Sequence, residues 1–283
     1  MKLKHIHLPP LTPYPLASAL QDSLRRTLLS AKDHPSSPSP APYLLSFTPP
    51  PTYTLGRRQT VPLPPKAEAR LTAPLATPLG TFTPDLIPSP RGGLTTYHGP
   101  GQVVLWPVID IHSRTYRHFT VRDYACLLEK TTIATLARLF GLEGFTTSDP
   151  GVWVTSAADG QERKVAAMGV HLRRHVTGLG TAVNLDFPVD GDEESDPWKR
   201  FVPCGLDGKE ATSVAREVGG RTGGGVEVGD GEKVAAEWAR EFAERIGVEG
   251  VERVESGEVE DLAADGGMAD GVALKTDWRG LEE

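Results

Sequence analysis

The chain has 283 residues, 39% of them hydrophobic, and a formal charge of −7. That length suffices for one large core or two small ones. Net acidity argues against a nucleic-acid surface, which would be basic and clustered, and the apolar runs fall short of the roughly 20 residues of a membrane span. Two cysteines, Cys126 and Cys204, make no disulfide framework and favour a reducing compartment.

Met1 to Leu8 lacks the apolar centre of a secretory signal, and Lys2 to Leu8 alternates like a strand. Leu16, Leu20, Leu24 and Leu28 recur at helical spacing and predict a helix over 16–30. Its Arg25 and Arg26 would suit a transit peptide, but Asp22 and Asp33 flank them, so the segment reads as the first helix of the fold. Tyr43 to Phe47 and Tyr53 to Gly56 read as short strands. Gln59 to Pro90 is rich in proline and without period, and is expected to be a surface insertion, partly ordered at best.

Gly101 to Ile111 is the strongest strand signal, and Val121 to Phe140 a helix stopped by Gly141. Cys126 lies near the apolar face of that helix and is expected to be a small core residue. Gly151 to Val154, Lys164 to Val176 and Thr181 to Phe187 read as further strands. Strict alternation would put Val165, Ala167, Gly169 and His171 on one face and Ala166, Met168, Val170 and Leu172 on the other. An acidic loop spans 190–196, a short helix begins at Thr212, and Lys233 to Ile246 predicts a last helix with Asp230 as its N-cap. From Gly247 onward the composition predicts a disordered acidic tail. The expected division is therefore a catalytic domain over 1–246, with 59–90 as an insertion, and a tail over 247–283.

Several blocks carry chemistry. Arg91-Gly92-Gly93 leads into Thr96-Tyr97-His98-Gly99-Pro100-Gly101-Gln102, a glycine-rich loop that ends in a strand. Lys164 opens a strand with Ala166, Ala167, Met168 and Gly169. Gly180 and Asn184 follow, and Pro203-Cys204-Gly205-Leu206 sets a thiol on a turn, where it need not be packed away. A thiol, an amine and a preformed loop are the parts of covalent acyl transfer. The histidines show no ligand spacing joined to carboxylates or thiols, so no metal is expected.

Taken together, in this order and spacing, these blocks resemble the octanoyltransferase family of lipoate biosynthesis, over about Leu3 to Ile246. The resemblance implies an α/β fold, a mixed sheet backed by helices of the lipoate/biotin protein ligase-like type, and no cofactor. It implies transfer of an octanoyl group from acyl carrier protein to a lysine of a lipoyl domain, through a thioester on Cys204 with Lys164 as its partner. The acceptors it implies are lipoyl domains of 2-oxoacid dehydrogenase complexes or the glycine cleavage H protein. Substrate contacts are implied for Arg91, Gly92, Gly93, Thr96, Tyr97, His98, Gly99, Gly101, Gln102, Ala166, Ala167, Met168, Gly169, Gly180, Asn184 and Gly205. One departure stands out: Leu179 occupies the place of a histidine found in many members.

The chemistry fits those residue types. A lysine ammonium beside a thiol favours the thiolate, and a desolvated lysine can take a proton from an incoming amine. Oxyanion donors are the backbone N–H groups of Cys204 and Gly205, or the loop 92–101. His98 either adds a donor, orients substrate or merely fixes its loop. Burying six or seven methylenes at roughly 0.8 kcal/mol each gives about 5 kcal/mol, and Ala166, Ala167 and Gly169 leave room for them. An acidic carrier needs local basic patches, for which Arg57-Arg58, Arg173-Arg174 and Lys199-Arg200 are the candidates. The alternatives are an ATP-dependent lipoate or biotin ligase, which needs no nucleophilic cysteine, and a non-catalytic relative. The proline-rich insertion and acidic tail resemble those of eukaryotic, fungus-like members of the family, which implies the mitochondrion, with the cytoplasm as alternative.

Overall fold

A computed structural model describes residues 1–34, 36, 38–186, 188–189, 191–201, 210–219 and 229–254. Elements run β1 (Leu3–His7), α1 (Tyr14–Asp33), β2 (Tyr43–Phe47), β3 (Thr52–Leu55), α2 (Pro65–Leu71), β4 (Leu75–Thr77), β5 (Gly80–Phe82), β6 (Asp85–Pro88), β7 (Thr95–His98) and β8 (Gln102–Val108). Then come α3 (Val121–Phe140), β9 (Gly144–Phe145), β10 (Gly151–Thr155), β11 (Glu162–Arg173), β12 (Val176–Asn184), a 3-10 turn (Pro197–Arg200), β13 (Glu210–Ala211), α4 (Val214–Val218), α5 (Gly231–Ile246) and β14 (Val251–Arg253).

The main sheet is mixed, in the order β14-β1-β2-β8-β12-β11-β10-β9, with β13 added parallel to β11. Helices α3 and α5 cover one face: Tyr124, Leu128, Leu136, Trp238 and Phe242 pack on Val103, Leu105, Val165 and Val183. A capping box starts α3, Thr120 accepting from the Asp123 N–H and Asp123 from that of Thr120, and Gly141 ends it in left-handed backbone. Asp230 caps α5 as expected. On the other face α1 buries Leu20, Leu24 and Leu28 against Leu45, Val104 and Trp106. A three-stranded sheet, β6-β3-β7, sits beside it.

Some expectations need correction. The proline-rich stretch is built into the fold: β6 pairs in parallel with β3, and Leu63, Leu71 and Leu75 close a third core around Tyr53, Tyr97 and Trp198. The prolines serve as strand ends and helix starts there. The domain also runs past 246. Val251–Arg253 pairs with β1 in parallel and Val254 is buried in the α1 core, so only 255–283 of the supposed tail lies outside the described residues. The β11–β12 turn is Arg174-His175, both at positive φ, and not the glycine-bearing stretch 177–180, which lies within β12. Cys126 is half-buried and lines a surface groove by α3.

Candidate active site

A cleft lies where β7, β11 and β12 meet α1. Tyr14, Trp106, Leu179 and Ala182 give it an apolar wall continuous with the α1 core. Lys164 and His98 are its ionisable side chains near the middle of the sheet, and Arg91 lies across Gly169.

Lys164 reaches this cleft through a register fault. Opposite β10, Val152 pairs with Ala166 and Trp153 with Lys164, so Val165 is an extra residue, a β-bulge. Strict alternation would place Lys164 with Ala166 and Met168 toward α3 and α5. The bulge moves it to the face of Ala167 and Gly169. Val165 thereby joins Ala166 in the core, which corrects both expectations: Val165 does not share a face with Ala167, and Ala166 does not line the cleft.

The amine is held on its new side. Lys164 is 9% exposed, donates to the Pro150 carbonyl at 3.0 Å, and lies 4.7 Å from the centre of the Trp153 ring, a cation–π contact. Gly151, at φ 122°, lets Pro150 approach: a Cβ there would stand 2.4 Å from the Ala166 carbonyl. The Lys164 backbone pairs with Ala211, and its carbonyl accepts from the Thr212 N–H at 2.9 Å.

Thr212 also ends a hydrogen-bond chain that begins at the glycine block. Asn184 donates through Nδ2 to the Thr212 carbonyl (2.9 Å). A carbonyl can only accept, so Asn184 turns its oxygen to Gln102, whose Nε2 donates at 2.9 Å. The Gln102 oxygen must then accept from His98 Nδ1 at 2.8 Å. One fixed carbonyl thus sets both amide orientations and the His98 tautomer, leaving Nε2 with the lone pair. Burial pushes His98 down to about 4, against the Gln102 hydrogen bond, so the ring is neutral at physiological pH. Its ring stacks on Tyr14 at 5.6 Å. A neutral ring of this tautomer offers the cleft an acceptor and no donor.

Of the expected contacts, Arg91, Thr96, His98, Ala167, Met168, Gly169 and Gly180 line the cleft together with Lys164. Arg91 is tied to the Thr54 carbonyl and hydroxyl at 2.7 and 3.0 Å. Gln102 and Asn184 support it from behind through the chain above. Tyr97 does not reach it. Its ring packs between Tyr53 and Trp198, because neighbours in β7 point to opposite sides. Gly99 is needed beneath that ring, where a Cβ would lie 2.1 Å from the Tyr97 hydroxyl. Gly101, at φ 84°, makes the turn into β8. Gly92 and Gly93 shape a surface turn in which the Arg91 carbonyl accepts from the Arg57 N–H and the Gly93 carbonyl from that of Arg58, and neither glycine lines the cleft. Cys204 and Gly205 lie outside the described residues. The described residues that flank this stretch in sequence are Phe201, 5.6 Å from the Tyr53 ring, and Glu210, followed by Ala211 beside Lys164.

Sequence reasoning missed Tyr14, Trp106 and Pro150. Tyr14 opens α1 before the first periodic leucine, and Trp106 was indistinguishable from the core residues around it. Lys199-Arg200 is no docking patch: Arg200 is buried on the carbonyls of Ala73, Pro74 and Glu193, and Lys199 binds that of Gly191. Arg174 pairs with Asp33 at 2.7 Å. Among the described residues no cluster of His, Cys, Asp or Glu could hold a metal ion, and no helix is long and apolar enough to cross a membrane.

Comparison with known proteins brings these observations together. The lipoyl protein ligase A/B catalytic domain model matches residues 13–242. The mitochondrial octanoyl-[acyl-carrier-protein]:protein N-octanoyltransferase of Danio rerio is 33% identical over 216 residues, 76% of this chain and 83% of that one. A probable octanoyltransferase of Schizosaccharomyces pombe is 34% identical over 217 residues, covering 75% and 86%. Among solved structures, lipoate-protein ligase A bound with ATP superposes with a TM-score of 0.59 over 94% of each chain at 15% identity, a likeness of fold.

Proposed function

The chain belongs to the lipoyl protein ligase A/B catalytic domain family, and on that premise we propose that it is an octanoyltransferase that charges lipoyl domains from an acyl carrier protein by way of a Cys204 thioester. The Cys204 thiolate attacks the donor's carbonyl carbon. A carbon–sulfur bond forms to Cys204, the one to the carrier's thiol breaks, and the Lys164 ammonium gives that thiol its proton. The acceptor's lysine amine then attacks the acyl-Cys204. An amide bond forms, the thiolate leaves, and the amine's proton passes to Lys164, which returns to its ammonium form. The apolar wall of Tyr14, Trp106, Leu179 and Ala182 takes the octanoyl chain. The backbone N–H groups of Cys204 and Gly205, or those of the loop 92–101, supply the oxyanion donors in this reading.

The observation that carries this reading is Lys164, turned by a bulge out of the core and into an apolar cleft beside the strand that follows Cys204. Leu179 fits it as well: φ is 60°, a backbone that histidine tolerates better than most residues, and here a leucine, which is not branched at Cβ, fills the place and adds to the wall. The mechanism needs no second histidine. Because the zebrafish relative is named mitochondrial, we infer the same compartment, which fractionation of the native host tests. The acceptors are lipoyl domains of 2-oxoacid dehydrogenase complexes or the glycine cleavage H protein. Purified protein given octanoyl carrier protein and an unmodified lipoyl domain is expected to transfer the acyl group without ATP. Transfer that requires ATP and releases pyrophosphate would overturn the proposal in favour of a ligase.

A further inference from the structure

Beyond the cleft, the same face of β11 runs on from Gly169 to His171, where several buried polar atoms collect without partners. His171 pairs across the hairpin with Gly178. The Arg25 side chain of α1 lies on that glycine: a Cβ there would come within 3.1 Å of Arg25 Cδ and Nε. Arg25 is 8% exposed, yet of its guanidinium only Nη1 has a hydrogen-bonded partner, Asp22 at 3.2 Å; Nε and Nη2 are buried with none. Gln21 Nε2 and His171 Nδ1 are buried and unpartnered too, while Gln21 gives its oxygen to the N–H of Leu179, a cleft residue. Burial, then the charges of Arg25 and of exposed Arg57, hold His171 below the usual imidazole range, and Asp22 acts the other way. Buried polar atoms left without partners are rare and call for a ligand or a role.

The spacing says which ligand. From Lys164 to His171 the strand covers about 20 Å at ~3.3 Å per residue, one residue being lost in the bulge. That is the reach of an extended pantetheinyl arm, which carries a thioester at one end and a phosphodiester at the other. We propose that Arg57, His171 and, from beneath, Arg25 form a subsite for the phosphate of the donor's phosphopantetheine arm, placing its thioester at Lys164. Arg57 and His171 meet the phosphate oxygens first, and Arg25 supplies charge from a region of low dielectric where screening is weak. The subsite rests on the donor assigned above, but binding tests it without turnover.

Calorimetry on the full chain compares pantetheine 4′-phosphate with pantetheine, free thiols that carry no acyl group for Cys204 to take. The phosphate is expected to tighten binding by about tenfold or more, and Arg57→Ala and His171→Gln each to erase most of that advantage. Arg57 is exposed, so its variant will fold even if changes at Arg25 do not. Equal binding of the two arms by the unaltered protein, or an advantage that survives both substitutions, would overturn the subsite. A nucleotide is the other source of such a phosphate: ATP that competes with the phosphorylated arm, and loses affinity in both variants, would also overturn it. If the phosphate advantage is present but no acyl group is transferred, the subsite stands and the transferase reading fails.

Discussion

The two faces of β11 are built on different rules. Toward α3 and α5, Val165, Ala166, Val170 and Leu172 obey the apolar pattern and are satisfied by packing alone. Toward the cleft, Lys164, Ala167, Gly169 and His171 meet carbonyls, rings and guanidinium groups, each in a fixed geometry. One extra residue, Val165, separates the two regimes. A fold can therefore take a lysine from a core-facing position and give it a chemical setting at the cost of a single ladder irregularity.

Substitutions on each face should break different things. Lys164→Ala is expected to lower kcat/KM for acyl transfer by about 10²–10⁴-fold, the worth of a general acid–base group, while shifting the melting temperature little. If turnover is retained, Lys164 has no part in the chemistry. On the covered face, Trp238→Ala should cost about 3–5 kcal/mol in denaturant unfolding, the loss of a fully buried ring and of its hydrogen bond to Thr132. A folded remainder of that variant should keep its KM for donor.

Between these lies the hydrogen-bond chain behind the cleft. Asn184→Ala leaves the Thr212 carbonyl and the Gln102 amide without their partner and should cost about 1–3 kcal/mol. It should also lower kcat, because the His98 tautomer is no longer fixed. A stability loss with kcat unchanged would sever the chain from catalysis. A further effect is on pH dependence, spread over about two to three pH units. His98 titrates at 6.5 when unfolded and about 4 when folded. Between those values the unfolded state holds the additional proton, so stability falls as pH falls, by about 3 kcal/mol over the window. His5, pushed down to about 3 by burial and then by the charges of His7 and Arg253, adds in the same sense. Denaturant midpoints at pH 7 and 5 should show His98→Asn with a shallower dependence than the parent.

The sequence was a good guide to composition of the site and a poor one to its geometry. The glycine block, Lys164 and Asn184 were recognisable by type and spacing, and the structure joins them through Gln102 and Thr212. The bulge was not legible, because Lys-Val-Ala-Ala alternates equally well with or without it, and only the partner strand fixes the register. The turn at Arg174-His175 was hidden because it puts non-glycine residues at positive φ, while the glycines of 178 and 180 serve close approach to Arg25 and to the Leu105 carbonyl. The ordering of 59–90 depends on contacts distant in sequence, Tyr53, Tyr97 and Trp198, that no local pattern reveals.

The central claim is that the acyl group rests on one particular sulfur. Intact-mass and peptide mapping after exposure to octanoyl carrier protein test it: the account predicts one octanoyl adduct, on the peptide containing Cys204, abolished by Cys204→Ser. An adduct on Cys126, or acyl transfer that persists in the Cys204→Ser protein, would contradict it.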